Sequence, residues 1–287
     1  MNRLDDAVTT TLNQNMKLRG SSLSKGAWIV ALLALAAATS THAANATGAC
    51  PYPHALGTAR TLAVSAADTP RVGLKEFPTT LPLADKEVVL TFDDGPFAPT
   101  TRRVLKALAD ECVRATFFVI GQNAVHEPDL LRKLAADGHT IGTHTWSHKI
   151  LGRIAERAAQ DEIDRGMAAV DNVIGKPQQP TRFFRFPGFV STPQLLQSLN
   201  DRGVVVFGAD LWASDWNKMS PDQQLHLIEG RLKAARKGII LFHDIKAQTA
   251  SMLPAFLQYL KDQGYRVVDV VPADGPTRPS AAPTSAK

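Results

Sequence analysis

The chain is nearly devoid of cysteine, with only Cys50 and Cys112 among 287 residues. That excludes a disulfide-dense scaffold and a zinc site closed by four thiolates. It has no run of lysine or arginine either. The formal net charge is +5, and the first 43 residues carry Arg3, Lys17, Arg19 and Lys25 against Asp5 and Asp6, which leaves +3 on the remainder. So mild an excess does not mark a nucleic-acid partner. The apolar stretch Ala27–Ala38 is 12 residues long, short of the roughly 20 that span a bilayer. No internal repeat is visible.

What is present is ordinary for a soluble globular protein, 44% hydrophobic and 21% charged. Residues 1–46 are expected to be a signal peptide: Lys17, Arg19 and Lys25 precede the apolar stretch, and Thr41-His42-Ala43 and Ala44-Asn45-Ala46 are candidate cleavage sites. Met16 is an alternative start, and a retained anchor the alternative reading. The mature protein is then expected to be periplasmic or secreted, with no stable membrane span after cleavage. In an oxidising compartment Cys50 and Cys112 can pair; the alternative is a free, buried Cys112 with Cys50 loose.

Residues 47–84 read as a polar lead-in with a possible strand at Thr61–Val64. Beyond it strand-like and helix-like segments alternate. The strand candidates are Val88–Phe92, Ala115–Ile120, Thr140–Thr143, Phe183–Phe186, Val204–Gly208, Gly238–Phe242 and Tyr265–Val268. The helix candidates are Thr101–Glu111, Asp129–Asp137, Ile154–Ile174, Pro193–Asp201, Pro221–Arg236 and Ser251–Gln263. Such alternation predicts a parallel α/β fold, barrel or open sheet, in one catalytic domain over 85–271. The Pro-, Ala-, Ser- and Thr-rich residues 272–287 are expected to be a disordered tail.

The first chemical signal is Asp93-Asp94, closing the apolar run Val88–Phe92 and followed at once by Gly95-Pro96. Two like charges at a strand's carboxyl end repel, and a cation beside one of them removes the conflict. The second signal, His144-x-x-x-His148, follows another strand and places two imidazoles on one face of a helical turn. Asp plus two His with a position left open is the donor set of catalytic zinc. His243 ends a third strand, Arg185 a fourth, and Asp210, Trp212, Asp215 and Trp216 follow a fifth.

Thr91-Phe92-Asp93-Asp94-Gly95-Pro96, His144-x-x-x-His148, Arg185-x-Pro187, Asp215-Trp216 and Leu241-x-His243 resemble the ordered motifs of the polysaccharide deacetylases, carbohydrate esterase family 4, over roughly Lys86–Val271. The third motif departs from the family's Arg-Pro-Pro-Tyr-Gly, reading Arg185-Phe186-Pro187-Gly188-Phe189. The resemblance implies a distorted (β/α) barrel of about seven parallel strands. It implies metal-dependent removal of N-acetyl groups from peptidoglycan, a chitin-like oligomer or an exopolysaccharide. Asp94, His144 and His148 would hold one divalent ion, with zinc expected; Asp93 would be the general base, and Arg185 would pair with it. Gly188 would offer a backbone N–H to the oxyanion. His243 would be the general acid, oriented by Asp215.

Leu241 is a candidate for the acetyl-methyl pocket or for plain core. Trp212, Trp216 and Phe97 are candidate sugar platforms, and Trp146 is expected to be packing. Asp210 and Asp215 are the carboxylate candidates near His243, with Asp244 as a further neighbour. His54, His126, His139 and His226 are given no role. The alternatives are an O-acetyl xylan esterase with the same site, and an inactive carbohydrate-binding protein on this scaffold.

Overall fold

Val88, Leu90 and Phe92 alternate with Val89, Thr91 and Asp93 along β3 (Glu87–Asp93), and all six are buried. A strand buried on both faces belongs in a parallel sheet covered by helices. In the computed structural model, which describes residues 50–175 and 181–273, every ladder is parallel. The expected signal peptide (1–46) and most of the expected tail lie outside the described residues. Among the described residues no helix is long and apolar enough to cross a membrane.

The other strands are β1 (Thr58–Val64), β2 (Arg71–Val72), β4 (Thr116–Val119), β5 (Thr140–Thr143), β6 (Phe183–Phe184), β7 (Val205–Phe207), β8 (Leu211–Trp212), β9 (Gly238–His243) and β10 (Arg266–Pro272). The helices are α1 (Ala98–Asp110), α2 (Gly121–His126), α3 (Pro128–Ala136), α4 (Glu156–Ile174), α5 (Pro193–Asp201), α6 (Pro221–Ala235) and α7 (Ala247–Asp262). Two starts are set by local chemistry: Thr192 Oγ1 caps α5 by accepting from Leu195 N, and Ser220 and Gln223 form a capping box on α6.

The ladder order β8-β9-β3-β4-β5-β6-β7 makes seven neighbouring strands, and β2 continues it beyond β7. Curvature shows in the side chains. Phe118 on β4 lies 5.5 Å, ring to ring, from Phe207 on β7. In a flat sheet strands three ladder steps apart would stand about 14 Å apart. The sheet therefore curls into a distorted barrel with Val89, Phe118, Phe183, Val205, Phe207 and Ile239 inside it. Gly142 on β5 makes room: a Cβ there would come 2.6 Å from the Phe118 ring. The alternate residues Val88, Leu90, Phe92, Ile240 and Phe242 face outward against α1, α6 and α7. The far edge of β7 is taken by β2, and no ladder joins β2 or β7 to β8, so the ring is open at that seam.

One strand differs from expectation. The segment beginning at Tyr265 was expected within the barrel as Tyr265–Val268, but β10 runs from Arg266 to Pro272 and pairs mainly with β1, reaching β3 only at Arg266 and Val267. The seventh ring strand is instead β8, paired with β9 through Leu211 and Trp212. Cys50 and Cys112 form a disulfide, S–S 2.04 Å, tying the start of the described chain to the turn after α1.

Candidate active site

Because the strands are parallel, their carboxyl ends share one rim, where barrels build their sites. On β3 the odd-numbered residues face the lumen, so Asp93 ends the strand pointing inward, while Asp94, past the strand's end, turns its carboxylate to His144 and His148. Asp94 has φ +77°, and its main chain is held on both sides: its N–H donates to Phe118 O (3.2 Å) and its carbonyl accepts from Asn123 Nδ2 (2.7 Å).

Arg185, just after β6, is fully buried and fills the top of the lumen with its guanidinium 4.2 Å over the Phe118 ring. Nη1 donates to Thr91 Oγ1 (2.9 Å) and Asp93 Oδ1 (2.7 Å), Nη2 to Gly208 O (2.7 Å), and Nε to Phe207 O (3.3 Å). Burial raises the Asp93 pKa, and the charge and hydrogen bond of Arg185 oppose that rise.

His144 and His148 do not sit on a helix as their spacing suggested. They flank a turn in which Thr145 and His148 have positive φ, and the turn hangs from α4. Glu162 on that helix accepts from Ser147 N and Ser147 Oγ, each at 2.8 Å, while its carbonyl accepts from Trp146 N. The imidazoles still converge, 5.0 Å between centroids. His144 Nδ1 lies 2.7 Å from the carbonyl oxygen of Arg185. A carbonyl only accepts, so Nδ1 carries the proton and Nε2 keeps its lone pair. Burial, the largest cause, pushes the His144 pKa down to about 3.

Asp94 Oδ1 stands 3.6 Å from His144 Nε2 and 3.3 Å from His148 Nε2. It is buried and has no hydrogen-bond partner. One ligand atom from each residue falls within 4.8 Å of the others. Two donors at 2.0–2.1 Å from a tetrahedral ion stand about 3.3 Å apart. An orphaned carboxylate oxygen facing imidazole nitrogens at that spacing fits a divalent cation.

Across the rim His243 ends β9, its Nε2 4.0 Å from Asp94 Oδ2. Asp215 Oδ1 lies 2.7 Å from His243 Nδ1, and Asp215 Oδ2 accepts from His243 N and Thr249 Oγ1, each 2.7 Å away. Burial alone would lower the His243 pKa. The hydrogen bond and charge of Asp215, with the charges of Asp93 and Asp94, outweigh it and raise the value to about 9.

The family model described as polysaccharide deacetylase matches residues 81–207. A Bacillus cereus peptidoglycan-N-acetylglucosamine deacetylase is 33% identical over 212 residues, 70% of this chain and 76% of that protein. The chain belongs to the polysaccharide deacetylases. A chitooligosaccharide deacetylase of Rhizobium leguminosarum bv. trifolii is 32% identical over 63% of this chain and 88% of its own. A solved peptidoglycan deacetylase of Bdellovibrio bacteriovorus superposes with a TM-score of 0.69 at 31% identity; 77% of this chain is covered, but only 61% of that one.

The remaining sequence candidates of this polysaccharide deacetylase fall in several places. Phe189 stacks on Trp212 (6.2 Å), Trp212 meets Trp216 edge-on (5.9 Å), and Trp216 meets His243 edge-on (6.1 Å), which makes one aromatic wall beside the site. Trp216 is 48% exposed, as is Phe97 at the start of α1, but Phe97 makes no ring contact with this wall. Gly188 is exposed on the turn after β6. Leu241 is buried beside Thr91 on the lumen side, one inward-facing position below His243. Trp146 packs against Gly121 at the start of α2, with Arg165 4.6 Å over its ring.

Asp210 is not a neighbour of His243. Its carboxylate accepts from Leu74 N, Thr80 Oγ1 and Ile239 N, so it ties the lead-in to β9. Asp244, directly after His243, accepts from Gly95 N and Thr101 Oγ1 and so fastens the loop after Asp94; burial raises its pKa to about 7. His139 accepts from Ala115 N in the core, and His226 pairs with Glu229 on the surface. Sequence reasoning missed Asn123 and Glu162. Glu162 left a signal, as a carboxylate on the buried stripe of α4 with Ala159, Ile163 and Gly166.

Proposed function

We propose that this chain removes N-acetyl groups from an exported amino-sugar polysaccharide and releases acetate. The observation that carries the reading is the convergence, at one rim, of an Arg185-held Asp93, the Asp94–His144–His148 donor set and an Asp215-held His243. Asp94, His144 and His148 hold one divalent ion, with zinc the expected metal. When bound, such an ion supplies Lewis acidity to the acetyl carbonyl and lowers the pKa of water.

Asp93 is the general base. Arg185 holds its Oδ1, and Oδ2, 3.9 Å from His144 Nε2, faces the donor set and takes the proton of the attacking water. The water oxygen bonds to the acetyl carbon, and the Gly188 N–H donates to the oxyanion. His243 enters as the imidazolium that Asp215 favours and gives its Nε2 proton to the nitrogen as the carbon–nitrogen bond breaks. The products are acetate and a free amine. Leu241 packs against the acetyl methyl, and Trp212 and Trp216 carry sugar rings.

The substrate is peptidoglycan, a chitin-like oligomer or an exopolysaccharide, the first two being the substrates named for the relatives in Bacillus cereus and Rhizobium. Residues 1–46 act as a signal peptide, and the mature enzyme is periplasmic or secreted. Acetate release from a panel of the three polymers, with metal restored after chelation, tests the reading. Turnover on at least one polymer that is lost with the metal and with Asp93→Asn is the expected result. Activity surviving complete metal removal overturns it.

A further inference from the structure

While Nη1 of Arg185 reaches Thr91 and Asp93, the carbonyls of Phe207 and Gly208, at the end of β7, hold the Nε and Nη2 side of its guanidinium. Those peptide units lie at the open seam before β8, where β7 pairs not with β8 but with the two-residue β2 of the lead-in, Arg71 beside Val206 and Val72 beside Phe207. The lead-in grips them from outside. Gly208 N donates to Val72 O (2.6 Å), Lys75 N to Ala209 O (2.9 Å), and Ala209 N to Glu76 Oε2 (2.8 Å). The two backbones approach as closely as glycine allows. Gly73 has φ +117°, and a Cβ there would lie 2.5 Å from Ala209 N; a Cβ on Gly208 would collide with the Glu76 carboxylate.

We infer that Glu76 is a positioning residue of the deacetylation site, holding Phe207–Ala209 so that their carbonyls keep Arg185 on Asp93. The inference rests on the reading of Asp93 as the base. Its chain of contacts runs from Glu76 to Ala209, through the Gly208 and Phe207 carbonyls to the Arg185 guanidinium, and ends on Asp93 Oδ1; His144 meets Arg185 through the main-chain carbonyl, outside this run of side-chain contacts. The groups facing Glu76 are the Ala209 N–H and the charges of Arg185, Asp210 and Lys75, and burial raises its pKa to about 7. Charged or neutral, the carboxyl keeps an oxygen for the Ala209 N–H. The brace needs an acceptor at this place more than it needs a charge.

Glu76→Ala and Glu76→Gln are compared with the wild type by acetate release and by metal content of the purified protein. Glu76→Ala is expected to lower kcat roughly tenfold or more, the scale of a base displaced by under 1 Å, with KM within about twofold and full metal content. Glu76→Gln keeps an accepting oxygen and restores most of kcat. In an Arg185→Lys background, adding Glu76→Ala costs nothing further, because both changes break one chain of contacts. Wild-type kcat in Glu76→Ala, a loss confined to KM or to metal content, or effects that multiply in the double variant would overturn the inference. Asp93→Asn separates the two readings. Turnover retained there removes the base assignment itself, whereas a dead Asp93→Asn beside a full-speed Glu76→Ala removes the brace alone.

Discussion

One residue, Arg185, orients two chemically different partners: its Nη1 donates to Asp93 Oδ1 at 2.7 Å, and its carbonyl oxygen lies 2.7 Å from His144 Nδ1. The side chain sets the carboxylate, and the main chain sets the imidazole tautomer. The spacing between the Asp93 carboxylate and the His144 imidazole is therefore fixed through a single amino acid.

His148 is the donor that can be removed without opening the core, since its side chain is 41% exposed. Wild-type protein is expected to gain about 2.7 kcal/mol of stability when zinc is raised to 100 times its Kd. His148→Ala folds as well as the metal-free wild type and gains none of it. Urea unfolding with and without zinc checks this; an equal gain in the variant would remove His148 from the ligand set.

The Asp215–His243 pair gives a pH signature in metal-free protein. The His243 pKa is raised to about 9, above its ordinary value of 6.5. Its contribution to stability is therefore full below pH 6.5 and is lost as pH rises through about 9. Asp215→Asn is expected to flatten most of that slope, worth about 3 kcal/mol in all, with the charges of Asp93 and Asp94 keeping the rest, and, with His243 as the proposed general acid, to lower kcat of the loaded enzyme roughly a hundredfold or more. Unfolding series at pH 6, 7.5 and 9 in chelator, beside kcat, read both effects.

Trp216 offers the exposed end of the aromatic wall. Trp216→Ala is expected to raise KM roughly fivefold, about 1 kcal/mol of lost stacking, with kcat nearly unchanged. Trp216→Phe recovers most of it. An unchanged KM on oligomers of several lengths would take Trp216 out of substrate binding.

The disulfide closes a span of 62 residues between Cys50 and Cys112. On the chain-entropy argument Cys50→Ser costs up to about 4 kcal/mol in denaturant unfolding. Acetate release at 25 °C persists, because the bridge lies at the end of α1 remote from the rim.

Much of the fold was legible because its signals are local. β3, β4 and β9 are short, mostly apolar runs, and α5 begins on Thr192-Pro193, a cap and a first-turn proline. The residues at the rim were legible for a different reason, since strand ends place Asp93, His144, Arg185 and His243 together once the sheet is parallel. What failed was non-local. β8 is two residues long and exists as a strand only because β9 lies beside it. α2 has no side-chain cap and little apolar periodicity. The turn between His144 and His148 takes its shape from Glu162, fifteen residues from Ser147 in sequence. Asp210 and Asp215 look alike in the chain, and only the lead-in tells them apart, by claiming Asp210 for Leu74 and Thr80.

The last described strand, β10, lies between β1 and β3 in the sheet order, and among the described residues β1 has no other strand partner. A chain that emerges with its amino end first must therefore wait for Arg266–Pro272 before β1 can be seated. Seating of β1 is tied to the arrival of Arg266–Pro272, about two hundred residues later in the chain. Any shortened product ending before Arg266 leaves β1 unpaired and marks itself as unfinished.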